Sequence, residues 1–131
     1  MPRPAETGGS SPGKKYDLGE RTAIFGEEVV RFAKRLPPGP VSAPLVTQLV
    51  KAGTSIGANY CEADDAVSRK EFRVKIVTCR KEAKESKYWL RVIGTSFEDF
   101  RTEARKLWQE AKELHLIFCA IVRKLDSSRE P

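Results

Sequence analysis

The sequence predicts an all-α, antiparallel up-and-down four-helix bundle, and three observations carry that prediction. Apolar residues recur at steps of three and four in four separate stretches, the spacing of one helix face. Capping residues, or proline and glycine, bound those stretches. No stretch alternates apolar and polar residues between turn signals, as strands do. With 131 residues the chain is long enough for one modest core and is read as a single domain.

Residues 1–15 are rich in Pro, Gly, Ser and Thr and show no period, so a disordered, solubilising tail is expected there. Its basic residues Arg3, Lys14 and Lys15 are available to an anion. The bundle domain is expected over residues 16–126, with residues 127–131 fraying.

The first helix is expected from about Leu18 to Leu36. Asp17 and Glu20 have capping-box spacing, and Leu18, Phe25, Val29, Phe32 and Leu36 line one side. Pro37, Pro38, Gly39 and Pro40 end it, because proline neither donates within a helix nor fits inside one. The second helix is expected from Ser42, as cap, to about Asp65, with Pro44 tolerated in its first turn. Leu45, Leu49, Ala52, Ile56 and Ala63 form its inward face. Gly53 and Gly57 either admit a neighbouring helix closely or are weak points costing about 1 kcal/mol each against Ala.

A short link around Val67 makes the third helix the antiparallel neighbour of the second. That pairing is expected to place Glu62 opposite Arg73 and Ser55 opposite Arg80. The third helix is the longest, Ser68 to Ser96, opened by the Ser68/Glu71 capping box. Phe72, Ile76, Cys79, Ala83, Ser86, Leu90 and Ile93 share its inward face. The fourth is expected to begin after Ser96, which with Asp99 makes another capping pair. Phe100, Ala104, Leu107, Ala111, Leu114, Phe118, Ile121 and Leu125 give it a heptad-like seam.

The third helix carries nine Lys or Arg against three Glu, while the remainder has fifteen basic and fifteen acidic residues. The whole excess of +6 therefore sits in one element. At about 100° per residue, Arg69, Arg73, Arg80, Lys84, Lys87 and Arg91 fall within roughly 60° of one another. Glu71, Glu82 and Glu85 cluster on the opposite flank. Such a stripe can follow the phosphates of a nucleic acid without reading its sequence. It can equally be a solvated face, or one half of a head-to-tail contact that closes into a ring. Tyr88 and Trp89 are candidates for base stacking or for packing.

Other chemistry finds little support. The pI near 9.4 points to an anionic partner: nucleic acid, anionic lipid or an acidic protein. No apolar run approaches the roughly 20 residues of a membrane span, and no apolar signal core opens the chain, so a cytoplasmic protein is expected. Cys61, Cys79 and Cys119 are far apart, make no C-x-x-C pair and are read as free thiols, partly buried. His115 is the single histidine, so neither a di-iron Glu-x-x-His set nor a catalytic triad assembles readily. It is read as a boundary residue on a flank with Trp108, Ala111, Phe118 and Val122. No metal, cofactor or catalytic residue is expected. Ser55, Asn59 and Glu62 are read as a polar network that sets helix register, with a functional polar site as the alternative. In that network Ser55 and Asn59 are expected to bond to third-helix side chains and Glu62 to Arg73 or Arg69.

The pattern also resembles a known family. The residues that carry the likeness are Asp17-Leu18, Glu20-Arg21, the run QLVKAGTSIGANYCEA from Gln48 to Ala63, and Ser68 with Glu71-Phe72. Lys81 to Glu85 followed by Tyr88-Trp89-Leu90 completes it. Together they resemble the four helix bundle proteins, also called 23S rRNA intervening sequence proteins, over roughly residues 16–125. Members are encoded in bacterial genomes, some within insertions in 23S rRNA genes. Many relatives have Glu-Gly where this chain has Glu62-Ala63. The resemblance implies a four-helix bundle assembled as a homopentamer. It also implies kinship with the accessory variability determinant of diversity-generating retroelements, a basic pentameric barrel that binds nucleic acid and a reverse transcriptase. The expectation is a non-enzymatic, ring-forming protein that binds nucleic acid, RNA before DNA, through Arg69, Arg73, Arg80, Lys84, Lys87 and Arg91. The alternative is a scaffold or adaptor oligomer whose charged third helix serves only assembly and protein docking. A reverse transcriptase is the kind of partner protein the resemblance implies; a membrane is not expected.

Overall fold

Two of the caps read from the sequence start helices in the expected way. Asp17 Oδ1 accepts the Glu20 N–H at 2.8 Å and opens α1, Leu18–Arg35. Ser68 Oγ accepts the Glu71 N–H at 3.0 Å and opens α3, Arg69–Ser96. Between them lies α2, Ser42–Asp64, and α4 closes the chain over Arg101–Ser127. This computed structural model describes residues 17–128, so the expected N-terminal tail and the last three residues lie outside the described part.

Each helix packs along the next in sequence, and α4 returns to touch α1. That order is the up-and-down four-helix bundle. Its core is the set of seams read from the periodicity: Phe25, Val29 and Phe32 from α1, Leu49 and Ile56 from α2, Ile76, Cys79 and Leu90 from α3, Leu114 and Phe118 from α4. On α4 the buried seam ends on Val122, while Ile121 is only partly buried. A helix has 3.6 residues per turn, so a strict heptad seam drifts around it, and over its last turns the drift brings Val122 inward.

Glycines set the spacing of α1 and α2. A methyl placed on Gly53 would lie 2.9 Å from Val29 Cγ1, and one on Gly57 would lie 3.3 Å from the Thr22 carbonyl oxygen. Both are points of close helix approach.

Several local expectations change. Ser42 does not cap α2. It is buried in the turn, and its hydroxyl donates to the Pro37 carbonyl at 2.6 Å, while Val41 holds the cap position without a side-chain bond. Ser96 does not cap α4 either. It ends α3, donating to the Val92 carbonyl at 2.8 Å, and a short 3-10 turn over Glu98–Phe100 leads into α4. At the C-terminus α4 continues to Ser127 with Ser128 at its cap. Cys61, expected to be partly buried, is exposed.

Candidate nucleic-acid interface

The inward face of α3 fixes where its charges go. With Ile76, Cys79, Ala83, Ser86 and Leu90 turned into the core, the basic flank faces α4 and the acidic flank faces α2. On the α2 side Lys75 Nζ lies 2.5 Å from Glu62 Oε1, and Lys51 of α2 lies near Glu82. Glu62 therefore pairs with Lys75, not with Arg73 or Arg69 as expected. Arg73 and Arg69 lie on the flank of α3 that faces α4, whereas Lys75 lies on the flank that faces α2.

Ser55 and Asn59 also bond differently from the expected network. Ser55 Oγ donates to the Lys51 carbonyl at 2.6 Å, and Asn59 Nδ2 donates to the Ser55 carbonyl at 2.9 Å. Both bonds stay within α2. A hydroxyl or amide on a helix reaches the carbonyl four residues back at little cost, and that local bond wins here.

The basic stripe divides into two parts. At the start of α3, Arg73 makes a two-pronged pair with Asp126, Nε to Oδ1 at 2.7 Å and an η-nitrogen to Oδ2 at 3.0 Å. One η-nitrogen of Arg69 donates to the Leu125 carbonyl at 2.6 Å and also to the Ser128 hydroxyl. These two arginines clasp the end of α4. Farther along, Arg80, Lys84, Lys87 and Arg91 have no ion-paired carboxylate among the described residues.

The facing flank of α4 adds to this charge. Lys87 from α3 and Lys112 from α4 both sit over the Trp108 ring, 5.5 and 5.7 Å from its centre. Arg101 and Arg105 border the same groove as Arg91. Burial, and then Lys87, Lys84 and Arg80, hold the His115 pKa below its usual 6.5, which places the imidazole beneath the stripe. Three acidic residues of α4 turn the other way. Glu110 and Glu113 grip Arg21 of α1 at 2.7 and 2.8 Å, and Glu103 pairs with Arg35. Thus from Arg101 to His115 α4 is split, acidic toward α1 and basic toward α3, and only near its end does Asp126 turn to α3.

The contribution of α4 was not picked out from the sequence. Its signal is the recurrence of Arg101, Arg105, Trp108, Lys112 and His115 at steps of four and three. That period is masked by the near balance of charge over the whole helix. Tyr88 is exposed and meets Trp89 edge to face at 4.9 Å, while Trp89 packs partly against the core. No group of His, Cys, Asp and Glu suited to a metal ion occurs among the described residues, and no described helix is long and apolar enough to cross a membrane.

A family model described as 23S rRNA-intervening sequence protein matches residues 14–118. The fold is also similar to a crystal structure from Bacteroides thetaiotaomicron, described as a protein with unknown function from the S23 ribosomal protein family. The two are 28% identical with a TM-score of 0.73, over 79% of this chain and 96% of that chain. No curated protein matches significantly.

Proposed function

The chain belongs to the 23S rRNA-intervening sequence protein family, and from that premise we propose that it is a non-enzymatic, ring-forming protein that binds RNA across the face shared by α3 and α4. The observation that carries the reading is the row of cations without ion-paired carboxylates among the described residues: Arg80, Lys84, Lys87 and Arg91 on α3, with Arg105 and Lys112 beside them on α4. Unpaired Lys and Arg at helical spacing release counterions when phosphates replace them, which drives binding without sequence readout. Arg69 and Arg73, already holding the end of α4, give less to such a surface. Assembly into a ring, a pentamer by the family likeness, would set several of these faces on one object and raise avidity.

A salt titration tests the proposal. With about six phosphates engaged on a single strand, log K should fall against log salt with a slope near −4. Changing Arg80, Lys84 and Arg91 together to Glu should abolish binding at about 0.15 M salt while leaving thermal melting intact. A folded wild-type oligomer with no salt-dependent affinity for RNA would instead identify a scaffold.

A further inference from the structure

Between the C-terminal half of α3 and the N-terminal half of α4 the surface opens into a groove of about 450 Å³. Its origin is local. A methyl on Gly94 would lie 3.2 Å from Ala104 Cβ, so the two backbones pass close together there. Gly94 and Ala104 are too small to fill the space above the crossing, and that leaves a largely apolar hollow. Trp108 forms one wall, and Arg91, Arg101 and Arg105 surround it.

Those guanidinium groups have little else to hold. Arg91 and Arg105 are exposed and carry no ion pair among the described residues. Arg101 has only Glu98 at 3.7 Å, with 53% and 81% of the two side chains exposed. A groove of this size is in the range of small-ligand sites. An apolar floor with an indole wall suits a flat, weakly polar ring. Guanidinium groups suit phosphate, whose oxygens their forked donors match. A nucleotide joins those two parts in one molecule.

We propose that this groove is a subsite for one unpaired nucleotide of the bound RNA, its base against Trp108 and its phosphates on Arg91, Arg101 and Arg105. The inference rests on the RNA-binding reading and adds which part of the RNA is held. A base inside a duplex presents no free face, whereas an unpaired base at a loop, bulge or end does. Stacking on an aromatic side chain accepts any base, so the subsite selects unpaired structure and not sequence.

Trp89→Phe leaves Trp108 as the sole indole, because the chain has two tryptophans. This variant is titrated with a short single-stranded RNA, the same strand carrying abasic positions, a blunt RNA duplex, and poly-glutamate. The single strand should quench the Trp108 fluorescence and the abasic strand should not, although their charges match. In the otherwise native chain, Trp108→Leu should weaken single-strand binding about tenfold and leave duplex binding unchanged. Should that variant melt early, Arg105→Gln, at an exposed position, should weaken binding of the single strand more than of the duplex. Salt-dependent binding with equal quenching by intact and abasic strands overturns the subsite and leaves the α3/α4 interface standing. Equal quenching by poly-glutamate overturns it in favour of a peptide. Failure to bind any RNA overturns both.

Discussion

His115 shows how one side chain reports on its surroundings. Arg80, Lys84 and Lys87 face it from α3, and on its own helix the Cys119 sulfur lies 3.7 Å from Nε2. Burial first and those cations second depress its pKa, so the unfolded chain takes up a proton at higher pH than the folded one. The stability linked to His115 is therefore complete above about pH 6.5 and lost as pH falls through the lower folded value. Denaturant midpoints measured from about pH 7.5 to 5 should drop more for the native protein than for His115→Gln. An equal drop in both would show that the imidazole is not held neutral. Phosphates bound along the stripe would pull the other way and favour its charged form. The sequence places His115 correctly at the edge of the core, but not the cations above it, because those arrive from another helix. The same limit explains the serines. Asp17 and Ser68 are legible as caps because acceptor and donor lie three residues apart. Ser42 and Ser96 also read as caps, yet the Ser42 hydroxyl bonds to the Pro37 carbonyl, which the turn places, and the Ser96 hydroxyl bonds to the Val92 carbonyl one turn back in its own helix. Cys79 is the clearest buried thiol: burial pushes its pKa up to about 12, and its sulfur lies 3.5 Å from the Ile56 carbonyl oxygen.

A helix pair makes demands that no single residue reveals. Gly53 lies in the middle of α2, where Ala would raise helix propensity by about 1 kcal/mol. Its neighbour is Val29, fully buried and stiff about χ1, with Cγ1 2.9 Å from where the new methyl would lie. Overpacking against a side chain that cannot turn away costs about 1–3 kcal/mol and outweighs the propensity gain. Gly53→Ala should lower the melting temperature; a rise would mean that α1 can move off α2 freely. The sequence left those glycines open between close approach and weakness, and the packing decides for approach. In α3, periodicity located both the buried seam and the charged flank. It did not divide the flank into the clasp of Arg69 and Arg73 and the unpaired cations beyond, since Asp126 lies far away in sequence. For α4 the seam was legible and the basic flank was not, because Glu103, Glu110 and Glu113 cancel it in any count of charge.

The bundle as a whole closes where its last helix meets its first, and polar contacts reinforce that junction. Arg21 spans it, with Nε to Glu110 at 2.7 Å and an η-nitrogen to Glu113 at 2.8 Å, and Arg35 repeats the device with Glu103. Arg21 is about one-quarter exposed, so its two-carboxylate grip is less screened than a surface pair. Arg21→Ala should destabilise the fold by about 1–3 kcal/mol, read as a lower denaturant midpoint. No loss would show that apolar packing alone closes the ring of helices. The architecture itself was legible throughout, because a seam at helical period and a proline-rich break are local signals that tertiary structure had only to obey. One property appears only when the entire body is considered. The chain's surplus positive charge belongs to one helix out of four, so its centre of charge is displaced from its centre of mass. In the field of a distant polyanion a body so built feels a torque as well as a pull, and it turns its loaded flank forward while still in free diffusion.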